Sequence, residues 1–168
     1  MPDIKWWGTP EKLSPRFIAE FEAMKQTYPD FKIPKKCFEE ARLKWVGTIT
    51  ASLKEVPSDM RTVGVEILYP SERYPSESPE AHFLHDRFLT ARDNVSGEKC
   101  PHLYFGDNSP CLFNPGNGSL FGWNPSRSTA ASIVTWTAEW VHNFWVWKFT
   151  GKWLGAEHSV PANERQAA

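Results

Sequence analysis

No run of the 168 residues is apolar and long enough to span a membrane, and the opening "MPDIKWWGTPEK" lacks the apolar stretch of a secretory signal. Charge of one sign is lacking too. With 19 Lys and Arg against 20 Asp and Glu, the formal net charge is -1. That balance offers no electrostatic basis for holding nucleic acid or an anionic membrane. Cysteine is scarce and odd in number. Cys37, Cys100 and Cys111 show no CxxC spacing, which argues against a disulfide framework and for a reducing, cytoplasmic setting. A Gly-rich phosphate loop, a Ser/His/Asp elbow and an HExxH helix are all missing, so no cofactor is expected. With no repeat and no internal linker, residues 1–168 read as one domain. Its core spans about 14–155, and 159–168 form a frayed tail.

What is abundant is aromatic: 9 Trp and 11 Phe, clustered late in the chain. "SPRFIAEFEAMKQTY", residues 14–28, predicts a first helix with Ser14 as N-cap and Pro15 at its first position. Phe17, Ile18, Phe21 and Met24 supply its apolar face. Strands follow. "ARLKWVGTIT" places Leu43, Trp45 and Ile49 on one side, and "RTVGVEILYP" does the same with Val63, Val65, Ile67 and Tyr69. "EAHFLHDRF" is a third, shorter run. Short polar breaks between them point to an antiparallel meander. A long helix is predicted over roughly 128–150, capped by Ser126 or Ser128 and closed at Gly151. Ile133, Trp136, Trp140, Phe144 and Trp147 form its stripe, broadened by Val134, Val141 and Trp145. Such a broad arc is core packing, and it accounts for the late aromatics. The whole order is α+β, with helices on one face of a small sheet.

Between the strands and the last helix lies "CPHLYFGDNSPCLFNPGNGSLFGWNP", residues 100–125. Cys37, Cys100, His102 and Cys111 could supply four zinc ligands, but Cys-x-His is unlike the paired knuckles of structural zinc. A Cys100–Cys111 disulfide conflicts with a reducing cell. Cys111 sits after Pro110 among turn formers, which predicts a thiol on a stiff backbone near the surface. The bland reading, a small buried side chain, suits Cys37 and stays open for Cys111.

Taken in order, these features resemble a ubiquitin-conjugating (E2) domain over about residues 14–150. The shared pieces are the N-terminal helix, "ILYPSERYPSESPEAHF", Pro101-His102, Gly106, Cys111-Leu112, Trp123-Asn124-Pro125 and the helix that follows. The family's His-Pro-Asn tripeptide lacks its Asn here, with His102 the nearest match, and the ending "WTAEWVHNFWVWKFTGKWLGAEH" is unlike eukaryotic members. That ending closely resembles the bacterial E2-like proteins of CBASS anti-phage operons, of the stand-alone type. The resemblance implies an E2 fold with a meander of about four strands. It also implies that Cys111 carries the C-terminus of a cGAS-like nucleotidyltransferase as a thioester and passes it to an amine. His102 becomes the candidate oxyanion donor or base; Asn108 and Asn114 are alternative amide donors, and Asp107 a candidate to tune the incoming lysine. Cys100 and Trp123 are read as structural, Trp123 as an anchor of the loop. Gly151, Trp153, Leu154 and His158 face a partner or pack back on the helix.

Overall fold

The computed structural model describes residues 5–9, 11–84, 97–104, 106–113 and 122–155. Two short strands, β1 (Gly8–Thr9) and β2 (Lys12–Leu13), pair antiparallel and lead into helix α1 (Pro15–Thr27). The Ser14 hydroxyl accepts the Phe17 N–H at 3.0 Å, so the helix starts where the Ser-Pro signal put it. A one-turn helix, α2 (Lys36–Glu39), carries Cys37, which is buried. Strands β3 (Lys44–Thr50), β4 (Thr62–Leu68) and β5 (Glu80–Phe83) then form one antiparallel sheet in chain order. The described residues hold three strands of that sheet, against the meander of about four that the resemblance implies.

Register explains the inward face. Trp45 lies opposite Ile67, Gly47 opposite Val65 and Ile49 opposite Val63. Ala81 and Phe83 continue the same rows through Ile67 and Val65. With a period of two, all of these side chains leave the sheet on one side. There they meet helix α3 (Ala130–Thr150), which packs against all three strands and against α1. Ile133, Val134, Trp140, Val141, Phe144, Trp145 and Trp147 are buried in the common core, as the aromatic stripe predicts. Trp136 is only partly buried, and its ring meets Phe113 at 5.7 Å. The N-cap of α3 is Thr129, one residue past Ser128 and three past Ser126, the expected caps; its N–H donates to Ser132 Oγ at 3.1 Å. Ser128 instead accepts the Asn124 N–H. Gly151 closes the helix with φ 78°, a left-handed conformation that suits glycine.

The buried face of α1 departs from expectation. Phe17 and Met24 face the core, but Ile18 and Phe21 are 49% and 41% exposed, and Glu20 is buried in their place. The reason is a polar node. Glu20 receives hydrogen bonds from Tyr69 Oη at 2.9 Å, from Arg16 at 3.1 Å, from Tyr74 Oη, and from the Ala130 N–H at 2.8 Å. Ala130 opens α3, whose positive end stabilises a carboxylate there. Four donors offset part of the cost of burying this carboxyl, which an unpaired carboxylate would bear in full.

Candidate active site

The cysteine segment folds into a hairpin of two short strands. Strand β6 (Leu103–Tyr104) pairs antiparallel with β7 (Ser109–Pro110), Leu103 opposite Pro110 and Tyr104 opposite Ser109. The connection is built from turn residues. Asn108 takes φ 59°, and the Asp107 carboxylate accepts from both the N–H and the hydroxyl of Ser109, an Asx turn of the kind this composition favours. Asn108 also hangs the hairpin on the sheet: its side-chain amide donates to the Phe83 carbonyl at 2.8 Å, and its carbonyl accepts the Phe83 N–H at 3.0 Å. The Asn108 amide is thus committed to β5.

Cys111 follows β7 directly. Its N–H donates to the His102 carbonyl at 2.7 Å, which extends the hairpin by one more bond. The same carbonyl accepts the Trp140 indole N–H at 2.9 Å, so α3 holds the backbone opposite the cysteine. The Tyr104 hydroxyl donates to Cys111 Sγ at 3.4 Å, and Sγ lies 3.9 Å from the Phe113 carbonyl. His102 has φ 58°, and its ring packs on Trp153 at 5.1 Å between centroids. His102 therefore meets the cysteine strand through its carbonyl, while its ring faces the C-terminal tail.

The thiol is not at the surface as the turn-rich sequence predicts: Cys111 is 6% exposed. Turn formers bend the chain, but the bond from the Cys111 N–H to the His102 carbonyl continues the hairpin and holds the residue in a buried position. Cys111 nevertheless lies outside the main core cluster, whereas Cys100 lies within it. Burial pushes the Cys100 thiol up to about 12, against a smaller opposing pull from Lys148. A thiol buried in the core and held protonated is a poor nucleophile. The three cysteines form no disulfide. Among the described residues no three His, Cys, Asp or Glu side chains gather as metal ligands.

Beyond the cysteine, the returning chain is pinned by Trp123, whose indole N–H donates to the Pro75 carbonyl at 2.7 Å and whose ring meets Tyr74 at 5.8 Å. Arg16 adds bonds to the carbonyls of Pro125 and Ser128, both 2.7 Å. Trp123 thus ties the returning chain to the segment between β4 and β5. Trp153 packs back on Trp140 and His102, while Leu154 is 65% exposed. Asn114 and His158 lie outside the described residues. Three residues escaped the sequence reading: Tyr104, and Glu20 and Arg16 of the polar node. Glu20 was findable, because it falls three after Phe17 and four before Met24, inside the apolar stripe.

A model of the type II CBASS E2 protein family matches residues 20–160, which takes in the sheet, the hairpin and α3. The chain belongs to the type II CBASS E2 family. Among curated proteins, none matches it. Membership of this CBASS E2 family places the chain in CBASS antiviral defence, with protein partners in that system. No helix among the described residues is long and apolar enough to cross a membrane.

Proposed function

We propose that Cys111 accepts the C-terminal acyl group of a partner protein as a thioester and passes it to an amine, the partner being a cGAS-like nucleotidyltransferase. The cysteine thiolate attacks the activated carbonyl and expels its leaving group. An amine nitrogen then attacks the thioester, loses a proton to solvent or a nearby base, and releases the thiolate. The observation that carries this reading is the placement of the sulfur. It ends a hairpin braced by β5 and α3, lies outside the main core, and has a hydroxyl directed at it, in a chain of the CBASS E2 family. In this scheme His102 either supports the oxyanion or fixes the cysteine strand, and its carbonyl bond to Cys111 favours the second role. Asn108 orders the hairpin, Asp107 shapes its turn and Trp123 fixes the returning chain, which leaves Asn114 as the amide candidate.

One observation favours a second reading. A sulfur 6% exposed suits a non-catalytic module that grips a partner's C-terminal tail. Transfer requires that cover to open when the partner docks. Co-expression with the operon neighbours, followed by non-reducing gels and intact mass, separates the two. Transfer chemistry gives a reductant-sensitive adduct in wild type and in Cys100→Ala, none in Cys111→Ala, and a slower-forming oxyester in Cys111→Ser. An adduct that survives Cys111→Ala sinks the assignment. A stable complex without any adduct supports the gripping module.

A further inference from the structure

We infer that Tyr104 is a catalytic residue, whose phenol donates a hydrogen bond to the Cys111 thiolate and holds it in its reactive form. This rests on the reading of Cys111 as the nucleophile and adds a residue to it. The geometry begins with register. Tyr104 stands opposite Ser109, and Cys111 is two residues beyond Ser109, so the period of two brings Cys111 to the same side, diagonal to Tyr104. Diagonal cross-strand neighbours lie within reach of a long aromatic side chain, and the hydroxyl does reach Sγ, at 3.4 Å.

The physical need is clear. Cys111 is buried, and burial disfavours the thiolate over the thiol. The Phe113 carbonyl, 3.9 Å from the sulfur, is an acceptor that favours S–H over S⁻. A donor must offset both, and the phenol is a donor in place. Several titratable groups on the described elements packed here have partners of their own. Asp107 holds Ser109, His82 lies between Glu80 and the Asp107 carbonyl, His142 meets Ser52, and the His102 ring packs on Trp153. Lys148 acts on Cys100, and Glu139 is exposed. When Cys111 loses its proton to solvent, the O–H···S bond strengthens, because a charged acceptor makes the stronger bond.

The test uses the full chain alone. Iodoacetamide alkylation of Cys111 is followed across pH by peptide mass in wild type and in Tyr104→Phe. Access to the sulfur scales the rate equally at every pH, whereas thiolate stabilisation moves the midpoint. The expected result is a midpoint raised in Tyr104→Phe, with alkylation about 10-fold slower near neutrality, the change of one pKa unit, and nearly equal rates at high pH. A ring-fluorinated tyrosine at position 104, a stronger donor, moves the midpoint the other way and covers the case in which Tyr104→Phe does not fold. Profiles that superimpose, or rates that drop by the same factor at every pH, overturn the inference. Alkylation needs no partner, so the two readings fail separately. A shifted midpoint without any thioester adduct refutes transfer, and with it the catalytic role, while the thiolate-stabilising bond from Tyr104 stands; an adduct with an unmoved midpoint refutes Tyr104 alone.

Discussion

At the scale of single residues, the two cysteines of the hairpin region have opposite fates, decided by what surrounds each sulfur. Cys100 lies in the core with its thiol pushed up to about 12, so near pH 8 it is protonated in the folded chain. Its alkylation there is expected to track global unfolding, with a rate that rises with urea. Rapid labelling of Cys100 in native protein would contradict its burial. Asn108 offers a sharper test, since its amide holds Phe83 and its backbone is left-handed. Asn108→Ala loses a hydrogen bond worth about 1 kcal/mol and pays roughly 1–2 kcal/mol for the left-handed backbone. Asn108→Gly loses only the bond. Urea unfolding should rank wild type above Asn108→Gly and Asn108→Ala last; equal glycine and alanine variants would refute the backbone contribution.

At the scale of elements, each long piece owes its place to a pattern readable in one dimension and to one contact that is not. Strand β3 alternates legibly through Trp45 and Ile49, but Gly47 between them is a gap that the Phe31 ring fills. A Cβ at position 47 would stand 2.5 Å from the Phe31 ring. Gly47→Ala must displace that ring, and overpacking of this kind costs about 1–3 kcal/mol. The companion Phe31→Leu should recover part of the loss in thermal melts; additive losses would show that the two positions do not share the space. Helix α3 was legible over almost its whole length, because an apolar arc every three or four residues has few other solutions. Its first residue was not, since three hydroxyl residues, Ser126, Ser128 and Thr129, compete for the cap and local geometry selects Thr129.

At the scale of the molecule, one buried carboxylate joins parts that lie far apart in sequence. Glu20 on α1 takes hydrogen bonds from Tyr69 after β4, from Tyr74, and from the first residue of α3. Tyr74 in turn touches Trp123, which anchors the chain returning from the cysteine. Burial lifts the Glu20 carboxyl above its ordinary 4.5, partly offset by the bonds from Ala130, Tyr69 and Arg16. A carboxyl raised on folding contributes stability that is present below pH 4.5 and is lost as pH rises through its folded-state pKa. The unfolding free energy of wild type, relative to Glu20→Gln, is therefore expected to fall with rising pH across that window. A difference that is flat or rising between mildly acidic and neutral pH would show that the carboxyl is not raised.

Periodicity and punctuation alone determined a good deal. Ser14-Pro15 starts α1, Val63, Val65 and Ile67 face one way, and the aromatic arc with Gly151 makes and ends α3. The ordered residues Pro101-His102, Cys111-Leu112 and Trp123-Asn124-Pro125 pointed to the family. Each of these depends on neighbours a few residues away, which a linear pattern records. Tertiary structure decided that Glu20 rather than Phe21 turns inward, that Cys111 is covered, and that a tyrosine seven residues earlier reaches its sulfur. Those outcomes depend on which groups meet across the fold, where a polar side chain is buried only when distant donors satisfy it.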